Sequence, residues 1–235
     1  CQEISAAAGT LIVSSEQPKY GAIEIEKRDA RTGTSKPVND RYVLDGAVYT
    51  IFGDADCTEK LQELTIKDGR ARTERNLPFG EYWVKETAAP KDYELDTAVY
   101  RVVIDSETCE EISAAKGTLV ISAEAPKRGA VGIVKHDTEP GAVKETTASY
   151  TMDGAVYTIY SDEGCTAEVT RLTIENGRAQ TGKELLFGDY WIKETTPPAY
   201  HEADAGVYKV TIDSQNCETV SLENGTLVLS ADTPK

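Results

Sequence analysis

An internal repeat constrains this chain more than any local pattern does. The segment Asp45–Ile51 returns unchanged 108 positions later as Asp153–Ile159, and Tyr82–Thr87 returns with one substitution as Tyr190–Thr195. A repeat of this length is much longer than a solenoid unit, so each copy is expected to be a complete domain. The chain is therefore predicted to contain two tandem domains, which favours a mechanical or spacing role.

The repeat also sets the predicted domain limits. Residues 1–18 match residues 109–126 and 217–234, so they are expected to be the last strand of a preceding copy. The first complete domain is then predicted to span residues 19–127, and the second to span residues 128–235.

The charge of the chain argues against several classes of partner. The net charge is −15, from 40 acidic and 25 basic residues. Such a surface repels nucleic-acid phosphates and anionic lipid. No apolar run approaches the length of a membrane span. No zinc pattern, phosphate loop or nucleophile–base motif is present, so we expect no metal, no cofactor and no enzymatic turnover.

Almost every periodic segment of the chain alternates with a period of two, which is typical of β-strands. Gly21–Lys27 alternates apolar and polar residues, and Ala47–Phe52 is a β-branched and aromatic run. The pairs Asp68-Gly69 and Asn176-Gly177 predict tight hairpin turns. About seven short strands per copy, without a helical stretch, predict an all-β fold of two tandem Ig-like β-sandwich domains.

The cysteines recur with the same 108-residue spacing as the repeat. Each copy has two, 52 positions apart, which suggests one disulfide per domain and an oxidising, extracellular compartment. The preferred pairs are Cys57–Cys109 and Cys165–Cys217. Pairing between neighbouring copies, Cys1–Cys57 and Cys109–Cys165, and free thiols in a cytosolic protein are the alternatives.

One charged residue stands on an apolar strand face in each copy. Lys27 shares a face with two isoleucines, and Lys135 shares the equivalent face with a valine and an isoleucine. On a later strand, Glu86 and Glu194 share the face of a tyrosine and an aliphatic residue. Because a buried unpaired charge is too costly to persist, each lysine is expected to meet its glutamate.

Two kinds of chemistry are compatible with such a pair. One is a partly buried ion pair. The other is a covalent cross-link, in which desolvation lowers the pKa of the lysine and a neutral amine attacks an Asn or Asp side chain on a third strand. Desolvation also raises the pKa of the glutamate, so it could carry a proton during condensation.

These segments resemble a known family. Gly21–Asp29, Leu44–Tyr49 and Leu77–Pro90 look like the CnaB-type, or prealbumin-like, repeat domains of Gram-positive surface adhesins and pilin shafts. The second copy matches through Gly129–Asp137 and Leu186–Thr195. The resemblance implies a β-sandwich stalk module that often carries an autocatalytic isopeptide bond. It makes Lys27 and Lys135 the amines, and Glu86 and Glu194 the catalysts.

The acceptor position departs from the family pattern. The resemblance places it on the last strand, where the copies have Glu124 and Asp232. Lys135 and Asp232 are therefore the expected cross-linked pair, and Lys27 and Glu124 are the equivalent pair with an acceptor one methylene longer. Strand alternation gives no support for either acceptor, because the face that contains Val228 and Asp232 is less apolar than the face that contains Leu229.

The function favoured by the sequence is that of a structural stalk or shaft repeat in a secreted adhesin or pilus-like fibre at the Gram-positive cell surface. Its partners would be neighbouring repeats of the same polypeptide or fibre. The alternative is an adhesive module that binds a host protein or glycan. Residues 138–149 differ most between the copies and are the candidate binding loop.

Overall fold

The computed structural model describes residue 7, residues 15–138 and residues 151–235, and this part of the chain contains β-strands and no helix. The first repeat contains β1 (Glu24–Asp29), β2 (Val48–Phe52), β3 (Lys60–Thr65), β4 (Arg70–Arg72), β5 (Gly80–Ala88), β6 (Val99–Ile104) and β7 (Leu119–Glu124). The second contains β8 (Gly132–Asp137), β9 (Val156–Tyr160), β10 (Glu168–Thr173), β11 (Arg178–Gln180), β12 (Gly188–Thr196), β13 (Val207–Ile212) and β14 (Leu227–Asp232).

Each repeat forms two sheets, as the all-β prediction requires. In the first repeat, one sheet has the order β3-β2-β5-β6 and the other has the order β4-β1-β7. The second repeat has the same arrangement, with orders β10-β9-β12-β13 and β11-β8-β14. The predicted fold class is confirmed: the described residues form two β-sandwiches of seven strands each.

The predicted hairpin turns are also confirmed. Asp68 and Gly69 have φ values of 53° and 75°, and Asn176 and Gly177 have values of 53° and 74°. Two successive residues with positive φ suit a two-residue hairpin turn, because their backbone twist matches that of the flanking strands. Both pairs contain the residue types that tolerate this conformation best.

Inward-facing residues of the two sheets form an apolar core in each repeat. In the first, Ile23, Ile25, Tyr49, Ile51 and Val84 are all fully buried. Burial of one such side chain contributes roughly 1.5–3 kcal/mol, so the sandwich is held mainly by these faces.

The chain divides by packing into two compact units whose limits differ from those of the repeats. The first contains the described residues up to Lys27 together with Asp45–Ala88 and Asp96–Ser122, and the second contains Arg28–Leu44, Ala89–Leu95 and Ala123–Lys235. Tyr42, Leu44 and Tyr93 accordingly lie in the core of the second unit. The limits of residues 19–127 and 128–235 stay a prediction from the repeat.

The structure does not show the predicted disulfides: Cys57, Cys109, Cys165 and Cys217 are all free. Cys57 lies in the β2–β3 loop and Cys109 follows β6, and β5 lies between β2 and β6. Two strand spacings amount to about 10 Å. A disulfide needs Cα atoms within about 7 Å of each other.

The second repeat repeats this separation, since Cys165 lies in the β9–β10 loop, Cys217 follows β13, and β12 lies between. The alternative pair between copies, Cys109–Cys165, is not formed either. Cys1 lies outside the described residues.

The last strand presents its less apolar face to the core. In β14, Val228, Ser230 and Asp232 are buried, whereas Leu229 is 46% exposed. The cause is the parallel pairing with β8, which sets Ser230 opposite Lys135. The pairing register, rather than the apolarity of a face, therefore decides which side of this strand is buried.

Candidate functional site

The lysines predicted to point inward are completely buried. Lys27 lies in β1 and Lys135 in β8, and each is the central strand of its three-stranded sheet. Both side chains have no exposed surface. The alternation of β1 carries Lys27 inward because Ile23 and Ile25, on the same face, are themselves in the core.

In the first repeat the lysine meets its predicted glutamate. Lys27 Nζ donates hydrogen bonds to Glu86 Oε1 and to the hydroxyl of Tyr49, both at 2.7 Å. Burial lowers the pKa of Lys27, although its hydrogen bond to Glu86 acts in the opposite direction. Burial likewise raises the pKa of Glu86. Both groups are thus shifted towards their neutral forms, which is what proton transfer between them requires.

A chain of hydrogen bonds continues from this pair. The Tyr49 hydroxyl donates to Ser122 Oγ at 2.7 Å, and Ser122 Oγ donates to Asp96 Oδ2 at 2.5 Å. The backbone N–H of Asp96 donates to Glu86 Oε2 at 2.7 Å, which closes the ring. Both oxygens of the Glu86 carboxylate therefore accept a hydrogen bond. The Tyr49 hydroxyl donates to Ser122, which leaves its oxygen oriented to accept from Lys27.

The second repeat builds the same ring from equivalent residues. Lys135 Nζ donates to the Tyr157 hydroxyl at 2.7 Å and lies 2.8 Å from Glu194 Oε1. The backbone N–H of Asp204 donates to Glu194 Oε2 at 2.6 Å, and Ser230 Oγ donates to Asp204 Oδ2 at 2.5 Å. Burial raises the pKa of Glu194.

In the second repeat, the lysine also contacts the acceptor residue predicted from the sequence. Lys135 Nζ binds Asp232 Oδ1 directly, and the side chains of both residues are fully buried. The other oxygen, Asp232 Oδ2, is buried without a hydrogen-bond partner in the described part of the chain. The amine, the carboxyl group and the glutamate predicted from the sequence are therefore brought together at one point.

In the first repeat the acceptor position is also buried. Glu124 ends β7 at the position equivalent to Asp232, and it is 2% exposed. Its side chain is one methylene longer than that of Asp232, so its carboxyl carbon cannot occupy the equivalent position when the backbones match.

Sequence reasoning missed three supporting residues of each ring: Tyr49, Asp96 and Ser122 in the first repeat, with Tyr157, Asp204 and Ser230 in the second. The sequence did contain an indication of them, because each of the three residues in the first repeat recurs unchanged 108 positions later. Tyr49 looked like an ordinary core residue of β2, and Asp96 lies in the segment between β5 and β6, where no alternation marks it.

Other sequence-based expectations concern loops and ligands. The candidate binding loop, residues 138–149, lies outside the described residues except for Thr138. Within the described ranges, no group of His, Cys, Asp and Glu side chains could hold a metal ion. The same ranges contain no helix long and apolar enough to cross a membrane.

Comparisons with solved structures give matches over most of this chain. The Bacillus anthracis TIE protein aligns with 92% of this chain at 23% identity and a TM-score of 0.60, and the chain spans only 34% of that protein. A C-terminal fragment of the pilus adhesin SpaC from Lactobacillus rhamnosus GG aligns with 92% of this chain and 98% of its own, at 14% identity and a TM-score of 0.44. No curated protein matches.

A protein-family comparison covers both repeats. The family model described as "SpaA: Prealbumin-like fold domain" matches residues 21–118 and 142–226, which is most of the chain. These ranges contain β1 to β6 and β9 to β13, with Lys27, Glu86 and Glu194, whereas β7, β8 and β14 lie outside them. The resemblance inferred from the sequence is therefore confirmed, and the chain belongs to the SpaA-type prealbumin-like fold family.

Proposed function

We propose that this chain is a structural stalk segment of a secreted cell-surface adhesin or pilus-like fibre, and that its second repeat is locked by an amide bond between Lys135 and Asp232. The observation that carries the proposal is the buried contact of Lys135 with both Asp232 and Glu194. Membership of the prealbumin-like family and the resemblance to CnaB-type domains of Gram-positive adhesins and pilins support the cell-surface role.

The condensation balances within the site. Glu194 takes a proton from the Lys135 ammonium, and the neutral amine attacks the side-chain carboxyl carbon of Asp232. The N–C bond forms and one C–O bond of Asp232 breaks. Both protons that the nitrogen loses end on the departing oxygen, which leaves as water. Glu194 carries them and is unchanged at the end.

Burial favours this reaction over a permanent ion pair. An ion pair in the core keeps two charges away from water, and its attraction often fails to offset their desolvation. The amide replaces a cation and an anion by one neutral group. The unpartnered Asp232 Oδ2 would no longer have to be kept as a charged oxygen in the core.

The position of the bond suits resistance to force. Lys135 lies in the first strand of the second repeat and Asp232 ends the last strand, and these strands are hydrogen-bonded neighbours. If an amide joined them, a pulling force would pass directly from the first strand to the last through the bond. The residues between Lys135 and Asp232 would not bear the force and could not be extended. This is the property required of a stalk.

Single-molecule stretching of the full chain tests this function. The second repeat should stay unextended between Lys135 and Asp232, whereas an Asp232→Ala chain should show an additional unfolding event. The first repeat provides the internal reference in both chains. Full extension of both repeats in the unaltered chain would contradict the proposal.

A further inference from the structure

One surface position differs sharply between the two repeats. Phe187, just before β12, is 1% exposed, whereas Phe79 occupies the equivalent position before β5 and is 47% exposed. The flanking residues show the same contrast: Pro78, Gly80 and Glu81 are exposed, but Leu186, Gly188 and Asp189 are partly covered. The sequence is similar at both places, so the difference lies in what covers them.

Within the second unit, Phe187 is covered by Tyr42. The two rings are stacked with centroids 4.7 Å apart and an interplanar angle of 12°. The backbone N–H of Phe187 donates to the Tyr42 hydroxyl at 2.7 Å, and this hydroxyl donates to the carbonyl of Lys127 at 2.7 Å. Burial raises the pKa of Tyr42 to about 12, so the hydroxyl stays protonated and able to donate.

Polar contacts from the same segment surround the stacked rings. Asn39 Nδ2 donates to the carbonyl of Phe187 at 3.0 Å. Arg41 lies 3.2 Å from Asp189 Oδ1, while the other oxygen of Asp189 binds Lys209 at 3.0 Å. One short segment, Val38–Leu44, thus supplies an amide, a guanidinium and a phenol to this surface.

The first repeat offers the same groups in the same order. The positions equivalent to Phe187 and Asp189 are occupied by Phe79 and Glu81, so the ring and the carboxylate are both retained. Lys19 occupies the position equivalent to Lys127. Arg101 binds both oxygens of Glu81, at 2.6 and 3.0 Å, and Lys209 binds one oxygen of Asp189 at 3.0 Å. All three acceptor residues are exposed, which leaves the surface formed by Lys19, Phe79 and Glu81, here called the Phe79 surface, accessible.

We infer that the Phe79 surface binds a segment like Val38–Leu44 that is supplied by another repeat of this type. The tyrosine would stack on Phe79 and the arginine would bind Glu81, whose negative charge it complements. The first repeat, which supplies Val38–Leu44, would then also accept a segment of this kind. Such a contact joins two different surfaces, so it continues along a row of repeats instead of closing into a dimer.

A free peptide is expected to bind weakly, because it must be ordered on binding and gains no effective concentration from a linker. The probe is a synthetic peptide with the sequence of residues 36–46, added at millimolar concentration to the full isotope-labelled chain. NMR should show saturable shifts of the amide signals of Phe79, Gly80 and Glu81. A peptide with alanine at the tyrosine position should bind at least about tenfold more weakly.

Two variants of the chain make the test specific. Phe79→Ser should weaken peptide binding at least about tenfold, while Val99→Ser, a matched change at a residue that is 45% exposed, should leave it unchanged. Absence of shifts at the Phe79 surface, or shifts that survive Phe79→Ser, would overturn the inference. Self-association of the chain through Phe79 without peptide binding would assign the surface to a different segment and would also overturn it.

Discussion

A single methylene separates the two acceptor positions. Glu124 and Asp232 are both buried at the end of a last strand, and Asp232 contacts its lysine amine directly. The Glu124 side chain is one methylene longer, so its carboxyl carbon lies farther from the strand backbone than that of Asp232. We therefore expect Glu124→Asp to create a second amide, with Lys27, and to lower the intact mass by one further water. An unchanged mass would show that acceptor length is not what limits the first repeat.

The proton-carrying glutamate can be tested in the same way. Glu194→Gln keeps the size of the side chain but cannot accept a proton from Lys135, so the second repeat should retain the full mass of its sequence. Glu86→Gln is the matched change in the first repeat and should leave the mass loss of the second repeat intact. Mass spectrometry of both variants decides the point, and a water loss that persists in Glu194→Gln would remove the glutamate from the mechanism.

The buried carboxyl of the first repeat predicts a pH dependence. Burial raises the pKa of Glu86 above its ordinary value of 4.5, so the folded chain binds this proton more tightly than the unfolded chain does. The stabilisation linked to this proton is therefore complete below pH 4.5 and declines as the pH rises through the raised folded value.

Comparison with Glu86→Gln isolates this effect, because glutamine does not titrate. Urea denaturation at a series of pH values, followed by the indole NMR signal of Trp83, should show the unfolding free energy of the unaltered chain falling relative to the variant above pH 4.5. The raised pKa would be contradicted if, above pH 4.5, the unfolding free energy of the unaltered chain relative to Glu86→Gln stayed constant or increased with pH.

The residues of the site were only partly predictable. Lys27 and Glu86 could be found because a charge on an apolar strand face is conspicuous and demands a partner. Asp96 and Ser122 recur in both copies, but recurrence alone assigns them no role, because that role depends on the position of an irregular segment and on the inward face of β7. The repeat could not decide the state of the cysteines, because it marks equivalent positions, whereas a disulfide depends on the distance between two side chains.

At the level of elements, β14 shows how register can override hydrophobic pattern. Its inward face contains Val228, Ser230 and Asp232, and Leu229 is directed outward. Val228→Ala should cost about 2 kcal/mol through lost burial and a small cavity. Leu229→Ala should stay within about 0.5 kcal/mol, although leucine is the larger side chain.

Urea denaturation of these two variants measures the difference, and both retain Lys135 and Asp232, so the proposed bond affects them equally. A larger loss for Leu229→Ala would mean that β14 is paired in the other register. The other strands were easier to predict from sequence, because alternation and the turns at Asp68-Gly69 and Asn176-Gly177 agree with each other.

For the whole molecule, the repeat predicted the number of sandwiches but not how the chain divides by packing. Arg28–Leu44 belongs to the second unit although it precedes the second repeat in sequence. The repeat period cannot reveal this, because it marks equivalent positions and not contacts. The aromatic residue Tyr42 is the residue whose packing makes the difference visible.

The central claim is that one of two nearly identical sites has become covalent. The most direct measurement is the intact mass of the unfolded full chain, with Lys135→Ala and Asp232→Ala as controls. We predict that the unaltered chain is lighter than its sequence by one water, and that each control has the mass of its own sequence. An unaltered chain with the full mass of its sequence would contradict the account, because Lys135, Glu194 and Asp232 would then form only a buried ion cluster.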